Sequence, residues 1–159
     1  MRIGVISDSH GNQRLVEEAL SQMGEIDALF HAGDYEFGFD PDEYPYPVYV
    51  AKGNCDPYDY FSQEGQTVSL AEIKIFLTHG DLYDARRKIA GLKAAAQQED
   101  AQVVIYGHSH IAFSHQEDGI LFLNPGSLAR PRSTMGRSYA ILTVNNGGVS
   151  AEIFPLRNN

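Results

Sequence analysis

Apolar residues in this chain come in short runs, several of which end on Gly, Asp, Asn or His. The segments Arg2 to Ile6, Asp27 to His31, Val48 to Ala51 and Val103 to Tyr106 each predict a strand. Thr67 to Leu70 and Lys74 to Thr78 predict a hairpin pair. Asn12 to Met23 has a different period: Leu15, Val16, Ala19, Leu20 and Met23 fall on one helical stripe, and Gly24 supplies a stop. A second helix is predicted over Asp84 to Gln98, with Asp84 as N-cap and Ile89, Leu92 and Ala96 facing inward. Tyr35 to Tyr46, rich in Pro, Asp and aromatics, predicts a loop. Beyond Ile111 strand and turn alternate: Ala112–His115, Ile120–Leu123, Ser138–Val144 and Val149–Phe154, with a hairpin turn signal at Asn146-Gly147-Gly148. Strand–helix units followed by antiparallel strands predict an α/β protein, two sheets in a sandwich with helices outside.

Bulk properties narrow the setting. A chain of 159 residues predicts a single domain, residues 1–159, long enough to bury a core. No apolar run approaches a membrane span, and Met1-Arg2 leads straight into a strand rather than a signal peptide. The lone cysteine, Cys55, excludes an intramolecular disulfide and fits a reducing cytoplasm. A formal net charge of −9 argues against a broad nucleic-acid-binding surface. An anionic substrate stays open, because bound metal ions reverse the local field.

The chemistry lies where the runs end. Asp8-Ser9-His10, Gly33-Asp34, Gly53-Asn54, His79-Gly80 and Gly107-His108-Ser109-His110 each set an N or O donor beside glycine or at an i,i+2 spacing. Glycine permits the tight turns and close backbone approach that let short side chains reach one point. The expected metal ligands are Asp8, His10, Asp34, Asn54, His79, His108 and His110. Seven donors are about what two adjacent ions need when one carboxylate is shared and water fills the rest. In an extended segment, Asp8 and His10 would project to the same side, as would His108 and His110. Taken singly, most of these are ordinary turn residues. Taken as an ordered set they predict a metal site.

These motifs resemble the calcineurin-like metallophosphoesterase superfamily, whose pattern reads D-x-H, G-D, G-N-H-[DE], G-H and G-H-x-H. The match runs from Asp8 to His110 and extends through Asn124-Pro125-Gly126-Ser127. The short length, the Gly53-Asn54-Cys55-Asp56 variant and the Asn-Pro-Gly-Ser element look like the small YfcE-type phosphodiesterase branch. The resemblance implies a four-layer α-β-β-α sandwich of two mixed sheets. It implies one ion on Asp8, His10, Asp34 and His110, and another on Asp34, Asn54, His79 and His108. Asp34 would bridge them, and a metal-bridging hydroxide would attack the phosphoester. Mixed oxygen and imidazole donors suit manganese first, with nickel, iron or zinc also open.

The residues expected to act at the substrate are Asp34, Asn54, Cys55 and His79. Most of the superfamily carries histidine where this chain has Cys55, and a thiol is a poorer acid. Esters with good leaving groups should then be favoured. The expected substrate is a small phosphodiester or nucleotide-like molecule. A phosphomonoesterase or nucleotide pyrophosphatase is the alternative. A non-catalytic scaffold like the retromer subunit of this fold is the second, and seven filled ligand positions argue against it. Relatives often assemble, so a homo-oligomer is an expectation too.

Other residues have two readings each. His31 is expected to be a hydrogen-bonded core or supporting histidine, and His115 a plain strand residue. Asp56 fits equally a site support and a turn. Arg130 and Arg132 could hold a phosphate or simply be solvated. Tyr35, Tyr44, Tyr46, Tyr58 and Tyr60 could stack on a base, but packing of a loop or an oligomer contact is the plainer role. Ser9 and Ser109 show no obvious base.

Overall fold

A computed structural model describes residues 1–37, 39–146 and 148–157. Two five-stranded sheets form. The first runs β10 (Gly148–Pro155), β9 (Ser138–Asn145), β1 (Arg2–Ile6), β2 (Ala28–His31), β3 (Val48–Val50). The second runs β4 (Gly65–Leu70), β5 (Ile73–Thr78), β6 (Val103–Ile105), β8 (Ile120–Asn124), β7 (Phe113–Glu117). In the first sheet β1, β2 and β3 are parallel; in the second β5, β6 and β8 are parallel. Antiparallel strands close both sheets.

Side-chain alternation explains the layering. Ile3, Val5, Phe30, Ile75, Leu77, Val103, Ile105, Leu121, Leu123, Ala140 and Leu142 are buried together between the sheets. The intervening residues point the other way. Ile6, Leu29 and Ile141 meet Leu15, Val16, Ala19 and Met23 of α1 (Gln13–Met23). Phe76, Val104 and Phe122 meet Leu92 and Ala96 of α2 (Ala90–Glu99). The architecture is a four-layer α-β-β-α sandwich of two mixed sheets.

α1 starts where Asn12 caps it, its side chain accepting from Leu15 N at 3.3 Å, and stops at Gly24, whose φ is 69°. The second helix is shorter than its sequence suggests. Asp84 is not its N-cap; it takes a left-handed conformation (φ 54°) after the short 3-10 turn Asp81–Tyr83. The chain turns again, with Ala85 N donating to Gly80 O and Arg87 N to Asp84 O, before the helix opens at Ala90. The Tyr35–Tyr46 loop contains a 3-10 turn at Pro41–Glu43. β9 and β10 pair antiparallel with Asn145 opposite Gly148, while Gly147 of the expected hairpin turn lies outside the described residues. Among the described residues no helix is long and apolar enough to cross a membrane.

Candidate metal centre

The C-terminal ends of the parallel strands meet on one edge of the sandwich, where α/β sheets gather ligand sites. β1 leads to Asp8 and His10, β2 to Asp34, and β3 to Asn54 and Cys55; β5 leads to His79, and β6 to His108 and His110. Loop backbones are laced together. Asp8 N donates to Gly33 O (3.0 Å), His10 N to Asp34 O (2.9 Å) and Gly107 N to His79 O (3.0 Å).

The loops are not extended. Asp8, His10, Asp34, His108 and His110 all have positive φ, from 45° to 63°. Such a conformation is uncommon outside glycine, with Asp and His among the residues that tolerate it best. Sharp left-handed turns, rather than same-side projection, therefore bring each i,i+2 pair to the centre. Two glycines make room. A Cβ on Gly53 would lie 2.3 Å from Asp34 Oδ1, and one on Gly107 would lie 1.9 Å from Ser7 Oγ and 2.8 Å from Asp8 Oδ2.

Four of the expected ligands cluster, and Asp34 also reaches a fifth, His79. Ligating atoms of Asp8, His10, Asp34 and His110 lie within 4.8 Å of one another. Asp34 Oδ2 is also 3.3 Å from His79 Nε2, and the His79 and His108 rings are 5.1 Å apart between centroids. Asn54 stands apart: it is exposed, and its amide donates to Cys55 Sγ at 3.3 Å.

Each of three imidazoles is fixed through one nitrogen. His79 Nδ1 meets Ala32 O (2.7 Å), His110 Nδ1 meets Arg130 O (2.6 Å), and His10 Nδ1 meets Glu36 Oε1 (2.8 Å). An oxygen acceptor draws the proton to Nδ1 and leaves Nε2 a lone-pair donor, the arrangement of metal-bound histidine. His110 Nε2 lies 3.0 Å from Asp8 Oδ1. Asp8 Oδ1, His10 Nε2, His79 Nε2 and His108 Nδ1 are buried with no hydrogen-bond partner. Buried acceptors converging on one another need a cation between them, so the residues fit bound metal.

Where an ion is not bound, a proton on His79 takes up the positive charge that the carboxylates favour. Burial pushes the His79 imidazole down, but Asp34, Asp8 and the Ala32 carbonyl together raise it to about 9. Burial pushes the Asp34 carboxyl up, yet His79 and the Cys55 N–H hold it below the usual carboxylate range. The pocket draws positive charge. Burial pushes the Cys55 thiol up to about 11, assisted by Asp34. A thiol at that value stays neutral at pH 7.

Supporting residues surround this cluster. Asp56 is fully buried and accepts three backbone N–H groups: Asp34 (2.8 Å), Glu36 (2.6 Å) and Gly53 (2.8 Å). It ties the β2 and β3 loops together and is more than a turn residue. Asn124 donates to Gly107 O (2.7 Å) and Ser109 Oγ (3.0 Å), while Ser127 Oγ donates to Asp8 O (2.9 Å). The Asn-Pro-Gly-Ser element thus braces both sheets' loops.

His31 is completely buried against Ser9 Oγ (2.9 Å), and burial lowers its pKa to about 3. Ser9 therefore does have a histidine partner, which its sequence context did not reveal, but Ser9 is itself buried. His115 lies exposed on β7, 3.6 Å from Glu117. Glu36 was missed in the sequence. It follows the Gly-Asp motif without a signature of its own, yet it orients His10 and lies 3.9 Å from Arg130 Nη2. Arg130 is otherwise mostly exposed, and Arg132 N donates to His110 O. Tyr35 is buried and donates to Asp59, Tyr44 and Tyr46 stack, and Tyr58 and Tyr60 are exposed.

Residues 1–147 match the family model of the calcineurin-like phosphoesterase superfamily domain. The chain belongs to that superfamily. It is 36% identical over 161 residues to the probable metallophosphoesterase YsnB of Bacillus subtilis, covering 100% of this chain and 94% of that protein. It is 28% identical over 167 residues to the phosphodiesterase YfcE of Escherichia coli, covering 89% and 87%. Among solved structures, a predicted phosphoesterase from Streptococcus pneumoniae is 36% identical with a TM-score of 0.85, covering 97% of this chain and 88% of that one. The YfcE-type resemblance stands, and with it a family that binds divalent metals.

Proposed function

We propose that this protein is a metal-dependent phosphodiesterase with a dinuclear centre, manganese being the first choice of ion. The observation that carries the reading is the set of buried acceptors on Asp8, His10, His79 and His108 that no protein donor satisfies. Asp8, His10, Asp34 and His110 would hold one ion; Asp34, Asn54, His79 and His108 would hold the other. Asn54 would swing its amide from Cys55 to do so. Two such ions supply an activated water as nucleophile and neutralise the phosphoryl oxygens.

The chain's own residues do the positioning. Ala32 O, Glu36 and the Arg130 carbonyl keep one nitrogen of each imidazole occupied and the other aimed inward. Asp56 keeps Asp34 and Gly53 in register. Cys55 lies against Asp34 through its N–H, at 2.7 Å from Oδ1. Its neutral thiol is a weak proton donor, which favours esters whose leaving groups need no protonation. General acid help is worth ~10²–10⁴-fold, so its lack separates aryl diesters from alkyl esters sharply.

A panel of aryl diesters, alkyl monoesters and pyrophosphates, assayed with manganese, nickel, iron and zinc, tests the reading. Aryl diesters should lead in kcat/KM. A lead for monoesters or pyrophosphates would move the assignment to the phosphomonoesterase or pyrophosphatase alternative.

A further inference from the structure

Beside the candidate centre a groove of about 320 Å³ separates the loop after β5 from the loop after β6. Its lining combines Arg86, Arg87 and Lys88 from the first loop with Ser109, Ile111 and Phe113 from the second. Ser109 sits in sequence between His108 and His110, so the groove opens directly off the ligand loop. Arg86 Nε donates to His108 O at 3.4 Å, which ties the cationic segment to that loop.

Its chemistry is unusual for this surface. The chain carries a net charge of −9, yet three cations stand in a row here. Arg87 has Asp84 3.9 Å away. Among the described residues, Arg86 and Lys88 have no carboxylate within ion-pair distance. Ile111 and Phe113 remain 47% and 38% exposed. A groove that holds both apolar side chains and cations suits a ligand with an apolar ring and an anionic group. A cationic cleft in an otherwise acidic molecule also focuses the field on an incoming anion.

We propose that this groove holds one arm of the diester substrate, and that the arm is nucleotide-like: an aromatic base on a sugar that carries a second phosphate. The scissile phosphodiester would lie at the candidate ligands, the ring against Phe113 and Ile111, and the second phosphate against Arg87 and Lys88, Arg86 being engaged with His108 O. The assignment rests on the phosphodiesterase reading and adds a subsite for one arm and the second phosphate that arm carries.

The test compares the dinucleotide TpT with pTpT and TpTp, which differ only in a terminal phosphate, using bis(p-nitrophenyl) phosphate as a reference that carries no second phosphate. In metal-loaded wild type, one phosphorylated dinucleotide should exceed TpT in kcat/KM by roughly fivefold, chiefly through KM, as two partly exposed charge contacts allow. The advantage should shrink as salt rises. In Arg87→Ala/Lys88→Ala it should vanish, with metal content verified. Calorimetric binding of the same dinucleotides to metal-stripped protein should show the same order. Equal kcat/KM for all three dinucleotides in wild type, or a preference that survives the double substitution, overturns the groove assignment while leaving the phosphodiesterase reading intact. Hydrolysis of no diester at all, bis(p-nitrophenyl) phosphate included, by fully loaded protein overturns both.

Discussion

Asp56→Asn tests the framework under the site without altering a candidate ligand side chain. The carboxylate accepts from Asp34 N and Gly53 N through Oδ2 and from Glu36 N through Oδ1. Asparagine can keep its oxygen toward the first two donors. Its NH2 then faces the Glu36 N–H, so one charge-assisted bond is lost and two donors oppose each other. Hydrogen bonds to a charged acceptor are worth about 1.5–3 kcal/mol, and a stranded buried donor costs about 1–3 kcal/mol. A neutral amide recovers part of this, because burial already disfavours the Asp56 carboxylate and pushes its pKa up. The net loss should be roughly 2–4 kcal/mol from a total stability of about 5–15 kcal/mol. Glu36 loses its backbone anchor and His10 its orienting partner, so metal affinity should fall about 10–100-fold. Urea unfolding of metal-stripped protein gives the first number, free of stabilisation by bound ions. Manganese titration gives the second. Stability within about 0.5 kcal/mol of wild type, with unchanged affinity, would refute the role assigned to Asp56.

Three further substitutions, with His115→Ala as a control, probe separate parts of the account. Asp34→Asn should weaken both ion sites and activity together, by far more than His115→Ala, which should be near neutral; matching metal-binding curves for the two would remove Asp34 from the shared position. Gly107→Ala sets a Cβ 1.9 Å from Ser7 Oγ and should cost roughly 1–3 kcal/mol or more in unfolding free energy along with metal affinity; wild-type values for both would show that the loop yields easily. Cys55→His should narrow the gap in kcat/KM between aryl diesters and alkyl monoesters by adding an acid near the leaving oxygen; an unchanged ratio in fully metallated protein would place Cys55 away from that oxygen.

The strands were legible because their apolar runs are short and end on glycine-flanked polar residues, and the sandwich followed from their order. The candidate ligands were legible for the same reason: each stands at a strand end. What spacing could not reveal was backbone handedness. Asp8 and His10 read as an extended pair, but both turn left-handed, and convergence comes from that. The start of α2 was misread because Asp84 looks like an N-cap. Its carbonyl instead accepts turn bonds from Arg87 and Lys88, delaying the helix. Glu36 was invisible because its role depends on the loop held by Asp56, a contact 20 residues away in sequence. The groove on Arg86–Lys88 was equally hidden, since its lining comes from loops that meet only in the folded sandwich.

The central claim is that two ions share Asp34 and that hydrolysis depends on them. Metal-stripped protein titrated with manganese, with bound ions per chain and bis(p-nitrophenyl) phosphate hydrolysis read from the same samples, tests it most directly. The account predicts two ions per chain at saturation and activity that is absent in the stripped protein and complete when both are bound. Full activity in verified metal-free protein, or saturation at one ion per chain, would contradict it.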